Sequence, residues 1–158
     1  MGTAIEYDVI VVGAGNAALC AALSAREQCG KVLVLEKASE EERGGNSTFT
    51  AGGFRFVHNG LEDLRQDVLD DLSDAEARQI YIPPLPSDLY MHDLMLVTEG
   101  LSQEELADIL IGRSRETVVW MQSKGVRFIP MFGRQSYVVN GMHHFYGGVN
   151  IEAVGGGW

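Results

Sequence analysis

Two short apolar runs near the start of the chain flank a segment rich in alanine. The first predicted strand, residues 7–12, contains the unbroken apolar run 9–12, as is typical of a parallel strand that is buried on both faces. Residues 31–36 contain a second apolar run and predict a second strand. Between them, residues 15–28 predict a helix whose small-sided face is formed by Ala14, Ala18, Ala21, Ala22 and Ala25. This order predicts a right-handed, parallel βαβ unit and therefore an α/β fold.

The hydrophobic pattern after residue 60 has the period of helices. Residues 61–72 place five apolar side chains on one helix face, namely Leu61, Leu64, Val68, Leu69 and Leu72. Residues 81–87 are rich in proline and predict a loop, whereas residues 87–100 predict a helix that is capped by Ser87. Residues 126–130 then predict a strand.

The longest helix that the pattern predicts spans residues 102–125. Ser102 and Glu105 have the spacing of a capping box, and Gly125 is a suitable end for the helix. The predicted apolar face comprises Leu106, Ile109, Leu110, Thr117, Trp120 and Met121. Arg113 lies on the same face, where its guanidinium either reaches the surface or forms a buried ion pair.

Composition and charge narrow the class of protein. The 158 residues are 46% hydrophobic and carry a formal net charge of −10, which argues against a nucleic-acid-binding surface. No apolar run approaches the length of a membrane span, so direct membrane insertion is not expected. Cys20 and Cys29 lack the spacing of a metal site, and we interpret them as free thiols in a reducing cytoplasm. Such an acidic chain must bind an anion through local arginines, histidines and backbone N–H groups.

The residues that join the first strand to the helix, Gly13-Ala14-Gly15-Asn16-Ala17-Ala18, fit the G-x-G-x-x-G/A pattern. Gly13 permits the tight turn, Gly15 lets the backbone approach a pyrophosphate, and Ala18 lets helix and strand pack closely. The pyrophosphate would lie at the helix N-terminus, where free N–H groups favour negative charge. Glu36 ends the second strand, at the place where a carboxylate accepts hydrogen bonds from ribose hydroxyls. We therefore predict dinucleotide binding.

The segment after Glu36 distinguishes between the two cofactors that share this pattern. NAD-dependent enzymes usually pass from the second strand through a short turn into another helix. Here Lys37 begins a long loop that reaches ERGGNSTFTAGG at residues 42–53. Glycines in such a loop can donate N–H groups to a pyrophosphate and lie flat against a planar ring. An FAD enzyme is therefore favoured, and an NAD-dependent dehydrogenase or a non-catalytic nucleotide-binding module remain the alternatives.

The stretch VIVVGAGNAALCAALSAREQCGKVLVLEKASEEERGGNSTFTAGGFRF resembles the N-terminal region of the fumarate reductase/succinate dehydrogenase flavoprotein superfamily. Within it, similarity to the FAD-dependent tricarballylate dehydrogenases extends through DLYMHDLMLVTEGLSQEELADILIGRSRETVVWM and GGVNIEAVGGGW. The resemblance implies an ADP-binding fingerprint at Gly13, Gly15, Ala18 and Glu36. It also implies that the loop from the pyrophosphate to the isoalloxazine comprises Gly44, Gly45, Asn46, Ser47, Ala51, Gly52 and Gly53.

The resemblance carries expectations about chemistry. Asn46 stands where succinate dehydrogenases carry a flavin-linked histidine, which implies non-covalent FAD. It implies oxidation of a small di- or tricarboxylate, tricarballylate to cis-aconitate, with electrons passing to a separate acceptor protein or a quinone-linked partner. Arg55, His143 and His144 are candidates to face the carboxylates, with surface or hydrogen-bonded roles as the alternative. No catalytic residue is predicted within the chain.

The resemblance further implies that residues 1–158 are the N-terminal part of one FAD-binding domain, without the substrate cap and the C-terminal half. We predict a βαβ unit with a flavin loop at 1–58, a helical segment at 59–125, and a strand with a glycine-rich tail at 126–158. The predicted fold class is a Rossmann-like FAD-binding βαβ unit followed by a helical segment, incomplete by itself. We also expect apolar side chains after Gly60 to need covering by further protein, among them Leu64, Leu69, Trp120 and Met121.

Overall fold

The computed structural model describes residues 5–156, which form two compact units. Unit 1 comprises residues 5–52 and 155–156, and unit 2 comprises residues 53–154. The first four residues of the predicted βαβ segment and the last two of the predicted tail lie outside the described part of the chain. That the chain is the N-terminal part of one FAD-binding domain, with the subdivision given above, stays a prediction.

Unit 1 contains the predicted βαβ arrangement. Strands β1 (Val9–Val12) and β2 (Val32–Leu35) pair in parallel, and helix α1 (Asn16–Gln28) connects them. A short 3-10 helix, Gly45–Phe49, lies within the glycine-rich loop that follows. These elements confirm the mixed α/β class and the Rossmann-like unit.

The prediction that β1 is buried on both faces is wrong for the described chain. Its residues alternate between half-buried and exposed, and Ile10 and Val12 are 56% and 82% exposed. Helix α1 packs against this sheet through Ala18 and Ala22, which are half-buried, whereas Ala21 is exposed. An unbroken apolar run therefore identified the strand but not the number of its faces that are covered.

Unit 2 is described in full and contains helices and two small sheets. Its strands are β3 (Gly53–Phe54), β4 (Ile80–Tyr81), β5 (Phe128–Pro130), β6 (Ser136–Val139), β7 (Met142–Phe145) and β8 (Ile151–Ala153). Its helices are α2 (Leu61–Asp67), α3 (Asp74–Ala77), α4 (Ser87–Val97), α5 (Glu104–Gly112), α6 (Ser114–Ser123) and α7 (Phe132–Gln135). One sheet has the order β3-β8-β5 and is antiparallel, and the other has the order β4-β7-β6, with β4 parallel to β7.

The predicted glycine-rich tail contains more regular structure than expected. Strands β6 and β7 form an antiparallel hairpin whose two loop residues, Asn140 and Gly141, have φ values of 51° and 80°. Two positive φ values and the Asn-Gly sequence are typical of a type I′ turn, which suits the twist of paired strands. The Asn-Gly pair is the sequence signal from which this hairpin could have been predicted.

The predicted helix over residues 61–72 is shorter in the structure, but its apolar face is correct. Helix α2 ends at Asp67, and Leu64, Val68 and Leu69 are each at most 1% exposed. A capping box does occur in this region, between Ser73 and Glu76 at the start of α3. The capping box predicted at Ser102 and Glu105 is wrong, because the Ser102 hydroxyl instead donates a hydrogen bond to Thr98.

The predicted long helix over 102–125 is two helices, α5 and α6, which meet at Arg113. The Ser114 hydroxyl stabilises this break by donating to the Ile111 carbonyl at 2.7 Å and accepting the Val57 N–H at 3.0 Å. The predicted apolar face is largely wrong in α5, where Ala107 and Ile111 are buried. Leu106, Ile109 and Leu110 are more than half exposed. Arg113 is itself exposed and pairs with Glu116, which confirms the surface alternative.

The hydrophobic core lies in unit 2. Its most deeply buried side chains come from strands, helices and loops alike and are Phe56, His58, Leu64, Val68, Leu69, Phe128 and Ile151. The expectation that Leu64, Leu69 and Met121 need covering by further protein is wrong, because they are 0%, 1% and 7% exposed. Unit 2 therefore buries much of its own apolar surface.

Candidate functional site

The turn between β1 and α1 has the geometry that the glycine fingerprint predicts. Gly13 has φ +107°, a conformation that side chains disfavour, and its N–H donates to the Leu35 carbonyl at the end of β2. A Cβ atom at Gly13 would lie 3.8 Å from the Cβ of Ala18, so the small side chain of Ala18 sits directly beneath the turn. The positive φ of Gly13 and the small side chain of Ala18 thus both permit the close turn from β1 to α1.

The glycine-rich loop lies against the N-terminus of α1. Gly15 is the N-cap residue, and its backbone position provides no side chain to accept the free N–H groups. The Ser47 hydroxyl accepts the Asn16 N–H at 2.9 Å instead. A Cβ atom at Gly15 would lie 3.4 Å from the Gly44 carbonyl oxygen and 3.5 Å from the Ser47 Oγ. Residues about thirty positions apart in the sequence therefore form one site.

Glu36 ties the fingerprint turn to the end of β2. One carboxylate oxygen accepts the Ala14 N–H at 2.7 Å, and the other accepts the Ala38 N–H at 2.8 Å. These N–H groups, with a smaller contribution from Lys37, lower the pKa of Glu36 below its usual value. The carboxylate is therefore ionised at neutral pH and helps to hold the turn.

The remaining predicted cofactor residues differ in their surroundings. Ala17, Lys37, Gly45 and Asn46 are exposed, whereas Gly52 is buried beside the backbone of Gly156. Ala51 has φ +56°, which is uncommon for a residue with a side chain. Gly53 belongs to β3 in unit 2, where a Cβ atom would lie 2.9 Å from Val149. The structure therefore brings together the fingerprint, Glu36 and the start of the loop within unit 1.

Arg55 is engaged by protein groups of unit 2. Its guanidinium forms an ion pair with Asp93 and donates to the Gly147 carbonyl at 2.7 Å. It also lies 4.9 Å from the centre of the Tyr90 ring, a distance that permits a cation–π interaction. These contacts agree with a hydrogen-bonded structural role rather than with a free cation.

The two adjacent histidines of β7 have different environments, because neighbouring strand residues point to opposite faces of a sheet. The His143 ring nitrogen lies 3.1 Å from the Ser136 hydroxyl. The His144 ring stacks on Tyr137 at a centroid distance of 5.7 Å and lies 5.4 Å from Tyr81. Both rings are half-buried, and neither environment contains a group that marks it as a carboxylate site.

A buried polar pair in unit 2 was not anticipated from the sequence. His58 is 2% exposed, and its Nδ1 accepts the Gly60 N–H at 3.1 Å. Its Nε2 lies 3.3 Å from the side-chain amide of Asn150, which is 3% exposed. Burial, assisted by the charge of Arg115, lowers the pKa of His58 to about 4, so the ring is neutral at physiological pH. The alternation Phe56-x-His58 was the available signal that this histidine faces the core.

Other kinds of site are not found in the described part of the chain. No group of three or more histidine, cysteine or acidic side chains within residues 5–156 is arranged to hold a metal ion. None of the helices there has both the length and the apolar character needed to cross a membrane. Cys20 and Cys29, both half-buried in unit 1, are free thiols.

A parallel βαβ unit with a glycine turn, an acidic residue ending β2 and an anion-compatible helix N-terminus defines a dinucleotide-binding protein. The family model described as "FAD binding domain" matches residues 8–148. The chain therefore belongs to the FAD binding domain family. Of the two cofactors that the fingerprint left open, this match indicates FAD.

Similarity to curated proteins extends along most of the chain. A fumarate reductase (cytochrome) of Shewanella frigidimarina is 30% identical over 148 residues, covering 92% of this chain and 22% of that relative. A 3-oxo-5-alpha-steroid 4-dehydrogenase of Comamonas testosteroni is 31% identical over 150 residues, covering 91% and 24%. A 3-oxosteroid 1-dehydrogenase of Mycolicibacterium smegmatis is 43% identical over 77 residues, covering 49% and 13%. The chain thus spans less than a quarter of the length of each of these relatives.

Proposed function

We propose that this chain supplies the FAD-binding portion of an oxidoreductase that acts on a small di- or tricarboxylate. The observation that carries the proposal is the arrangement at the α1 N-terminus, where Ser47 and Glu36 both accept backbone N–H groups of the fingerprint. The family match supports the cofactor, and the oxidoreductases among the relatives support the class of activity.

The residues of unit 1 fit the two polar ends of the ADP moiety. The N–H groups of Gly13, Ala14 and Asn16 are donated to protein oxygens, so the remaining N–H groups at the start of α1, those of Gly15, Ala17 and Ala18, would bind the pyrophosphate, with the Ser47 hydroxyl beside them. Each oxygen of Glu36 accepts one N–H, so the carboxylate keeps lone pairs for the ribose hydroxyls. The further contacts that we propose are Ala17, Ala18, Lys37, Gly44, Gly45, Asn46, Ala51, Gly52 and Gly53. When bound, FAD would accept a hydride from the substrate.

Replacement of Gly15 tests the cofactor site. The Gly15→Val side chain would extend beyond a Cβ atom that already lies 3.4 Å from the Gly44 carbonyl oxygen, into the space that we assign to the pyrophosphate. In a polypeptide that extends this sequence to the length of its relatives, flavin bound per chain should fall to background in this variant. The control is Gly133→Val, at an α7 position where a Cβ atom meets nothing within 4 Å. Unchanged flavin stoichiometry in Gly15→Val, or equal loss in the control, would contradict the proposal.

We propose that FAD is held without a covalent bond. The support is Asn46, whose carboxamide lacks the nucleophilic ring nitrogen through which a histidine bonds to flavin. Heat or acid should therefore release free flavin into the supernatant of the precipitated protein. Flavin fluorescence that stays with the polypeptide on a denaturing gel would disprove this part of the proposal.

The substrate that we propose is tricarballylate, which would lose two hydrogens to give cis-aconitate, with its two electrons passing through FAD to an acceptor. The support is the resemblance of the loop and helical segments to tricarballylate dehydrogenases. We also propose a separate acceptor protein or a quinone-linked partner, and a cytoplasmic location, which the two free thiols support.

The substrate is tested by anaerobic bleaching of bound flavin. In a polypeptide that extends this sequence to the length of its relatives, tricarballylate should bleach the flavin faster than succinate does. Residues 1–158 alone should bind FAD weakly and show no turnover, because the resemblance implies that the C-terminal half of the FAD-binding domain and the substrate cap lie outside them. Bleaching by succinate alone would show that the substrate is a dicarboxylate and not tricarballylate. No bleaching by either acid would overturn the proposal that the substrate is a small di- or tricarboxylate.

A further inference from the structure

Helices α4 and α5 form a hairpin whose surface combines two unusual properties. Six large apolar side chains on it are each 54–85% exposed, and they are Leu96, Val97, Leu101, Leu106, Ile109 and Leu110. We call these six residues the hairpin patch. Single exposed apolar residues are normal on protein surfaces, but six within one short hairpin are characteristic of an interaction surface.

The charge around the hairpin patch has one sign. The 34 residues from Gln79 to Gly112 contain six acidic residues and no lysine or arginine. Asp93 forms an ion pair with Arg55, whereas Glu99, Glu104, Glu105 and Asp108 are exposed within the same stretch of chain as the patch. An apolar surface bordered by carboxylates is complementary to an apolar surface bordered by cations.

The exposed surface of the hairpin consists of side chains carried by two helices. Its tip has an open surface depression that is lined by Val97, Thr98, Glu99, Leu101 and Ser102, and the patch residues of α5 lie outside this lining. The Ser102 hydroxyl donates to Thr98 across the tip, which holds the connection between the helices. Because the backbone of both helices is internally hydrogen-bonded, an occupant must bind through side chains, as an amphipathic helix in a groove does.

We propose that the hairpin patch docks a basic amphipathic helix of a separate partner protein. The apolar face of that helix would contact Leu101, Leu106 and Ile109, and its lysines or arginines would pair with Glu104 and Glu105. This inference is independent of the proposed oxidoreductase activity, because it rests on exposure and charge in unit 2 alone. Failure of flavin binding would leave it intact.

The test is direct binding of two synthetic helical peptides to the 158-residue chain. Both peptides have the same leucine face, and the polar face is lysine in one and glutamate in the other. We expect the lysine peptide to bind at least about tenfold more tightly, with an affinity that falls as salt is added. Equal binding of the two peptides, or no binding of either, would overturn the proposal.

Matched variants locate the binding surface. Leu106→Ser with Ile109→Ser should remove binding, and Glu104→Lys with Glu105→Lys should weaken it about tenfold or more. The apolar control removes two exposed side chains of β6 as Tyr137→Ser with Val138→Ser. The charge control, Glu40→Lys with Glu42→Lys, makes the same change in net charge within unit 1. An equal loss in either control would overturn the proposal.

A second outcome identifies a different occupant. Sedimentation of the chain alone reports self-association, and circular dichroism confirms that each surface variant is folded. Self-association that disappears in Leu106→Ser with Ile109→Ser would show that a second copy covers the hairpin patch, and it would overturn the assignment to a separate basic helix.

Discussion

Two glycines of the loop that follows β2 offer a controlled measurement of how tightly this loop is packed. Gly45 and Gly52 both adopt left-handed backbone conformations, with φ values of +57° and +69°. Their surroundings differ, because a Cβ atom at Gly45 meets nothing within 4 Å. A Cβ atom at Gly52 would lie 2.7 Å from the carbonyl oxygen of Gly156. Gly45→Ala therefore changes conformational preference alone, whereas Gly52→Ala adds a collision with backbone.

The expected magnitudes follow from these two effects. A left-handed alanine costs about 1–2 kcal/mol, of which about 0.4–1 kcal/mol is offset by the reduced freedom of the unfolded chain. Gly45→Ala should therefore lower the free energy of unfolding by at most about 1.6 kcal/mol. Gly52→Ala should cost about 1–3 kcal/mol more, which is typical of overpacking where the neighbouring atoms cannot move aside.

The two cysteines provide an assay that reports unit 1 specifically. Cys20 and Cys29 both lie in unit 1, and both are half-buried free thiols. Pulse labelling of thiols across a urea series therefore measures the opening of unit 1 without interference from unit 2. An additional cost of about 1–3 kcal/mol corresponds to an open population about fivefold to 150-fold larger for Gly52→Ala than for Gly45→Ala.

One pattern of labelling would refute this expected difference. If Gly45→Ala opens unit 1 as much as Gly52→Ala, then the close approach of residues 52 and 156 does not stabilise the loop. The same conclusion follows if neither variant changes labelling. Flavin affinity measured on both variants then shows whether loop packing and cofactor binding are coupled.

Three further predictions concern charge and burial. The lowered pKa of Glu36 gives unit 1 stability that is lost as pH falls through that pKa. Glu36→Gln should therefore open unit 1 at neutral pH and abolish the acid sensitivity of unit 1. Thiol labelling checks this, with Glu42→Gln as control. His58 has a folded pKa of about 4, so the chain should lose up to about 3 kcal/mol of stability as pH falls from 6.5 to 4. A urea series that shows the same loss in His58→Gln would contradict this account. Leu64→Ala should lower the free energy of unfolding by about 2–5 kcal/mol, since the Leu64 side chain is fully buried. Leu101 is 85% exposed, so Leu101→Ala should lower it by less than about 0.5 kcal/mol. Denaturant titrations measure both values.

The fingerprint could be predicted from the sequence because its requirements are local. The turn at Gly13 needs a positive φ, the helix behind it needs the small side chain of Ala18, and both requirements are visible in one short run of residues. The acidic end of β2 follows at a distance that the length of the intervening helix determines. The hydrogen bond between Ser47 and Asn16 could not be predicted, because a hydrogen bond across a long loop leaves no periodic pattern in the sequence.

The buried face of α5 could not be predicted from periodicity. Its sequence offers two apolar stripes, one containing Leu106 and Ile109 and the other containing Ala107 and Ile111. Hydrophobicity favours the first stripe, but the structure buries the second, where a small alanine permits close packing. The break at Arg113 also makes the predicted face wrong, because the periodicity of one long helix does not continue from α5 into α6.

Unit 2 begins at Gly53 and ends at Val154, and its first and last strands, β3 and β8, are hydrogen-bonded neighbours. Topologically, it is a loop insertion in the sequence of unit 1. An insertion with adjacent ends can be lengthened, replaced or transplanted without pulling its host apart, which makes residues 53–154 a candidate for expression as an autonomous module. On the ribosome, residues 155–156 of unit 1 are synthesised only after the whole of unit 2, so the close approach of Gly52 and Gly156 can form only after unit 2 has been made.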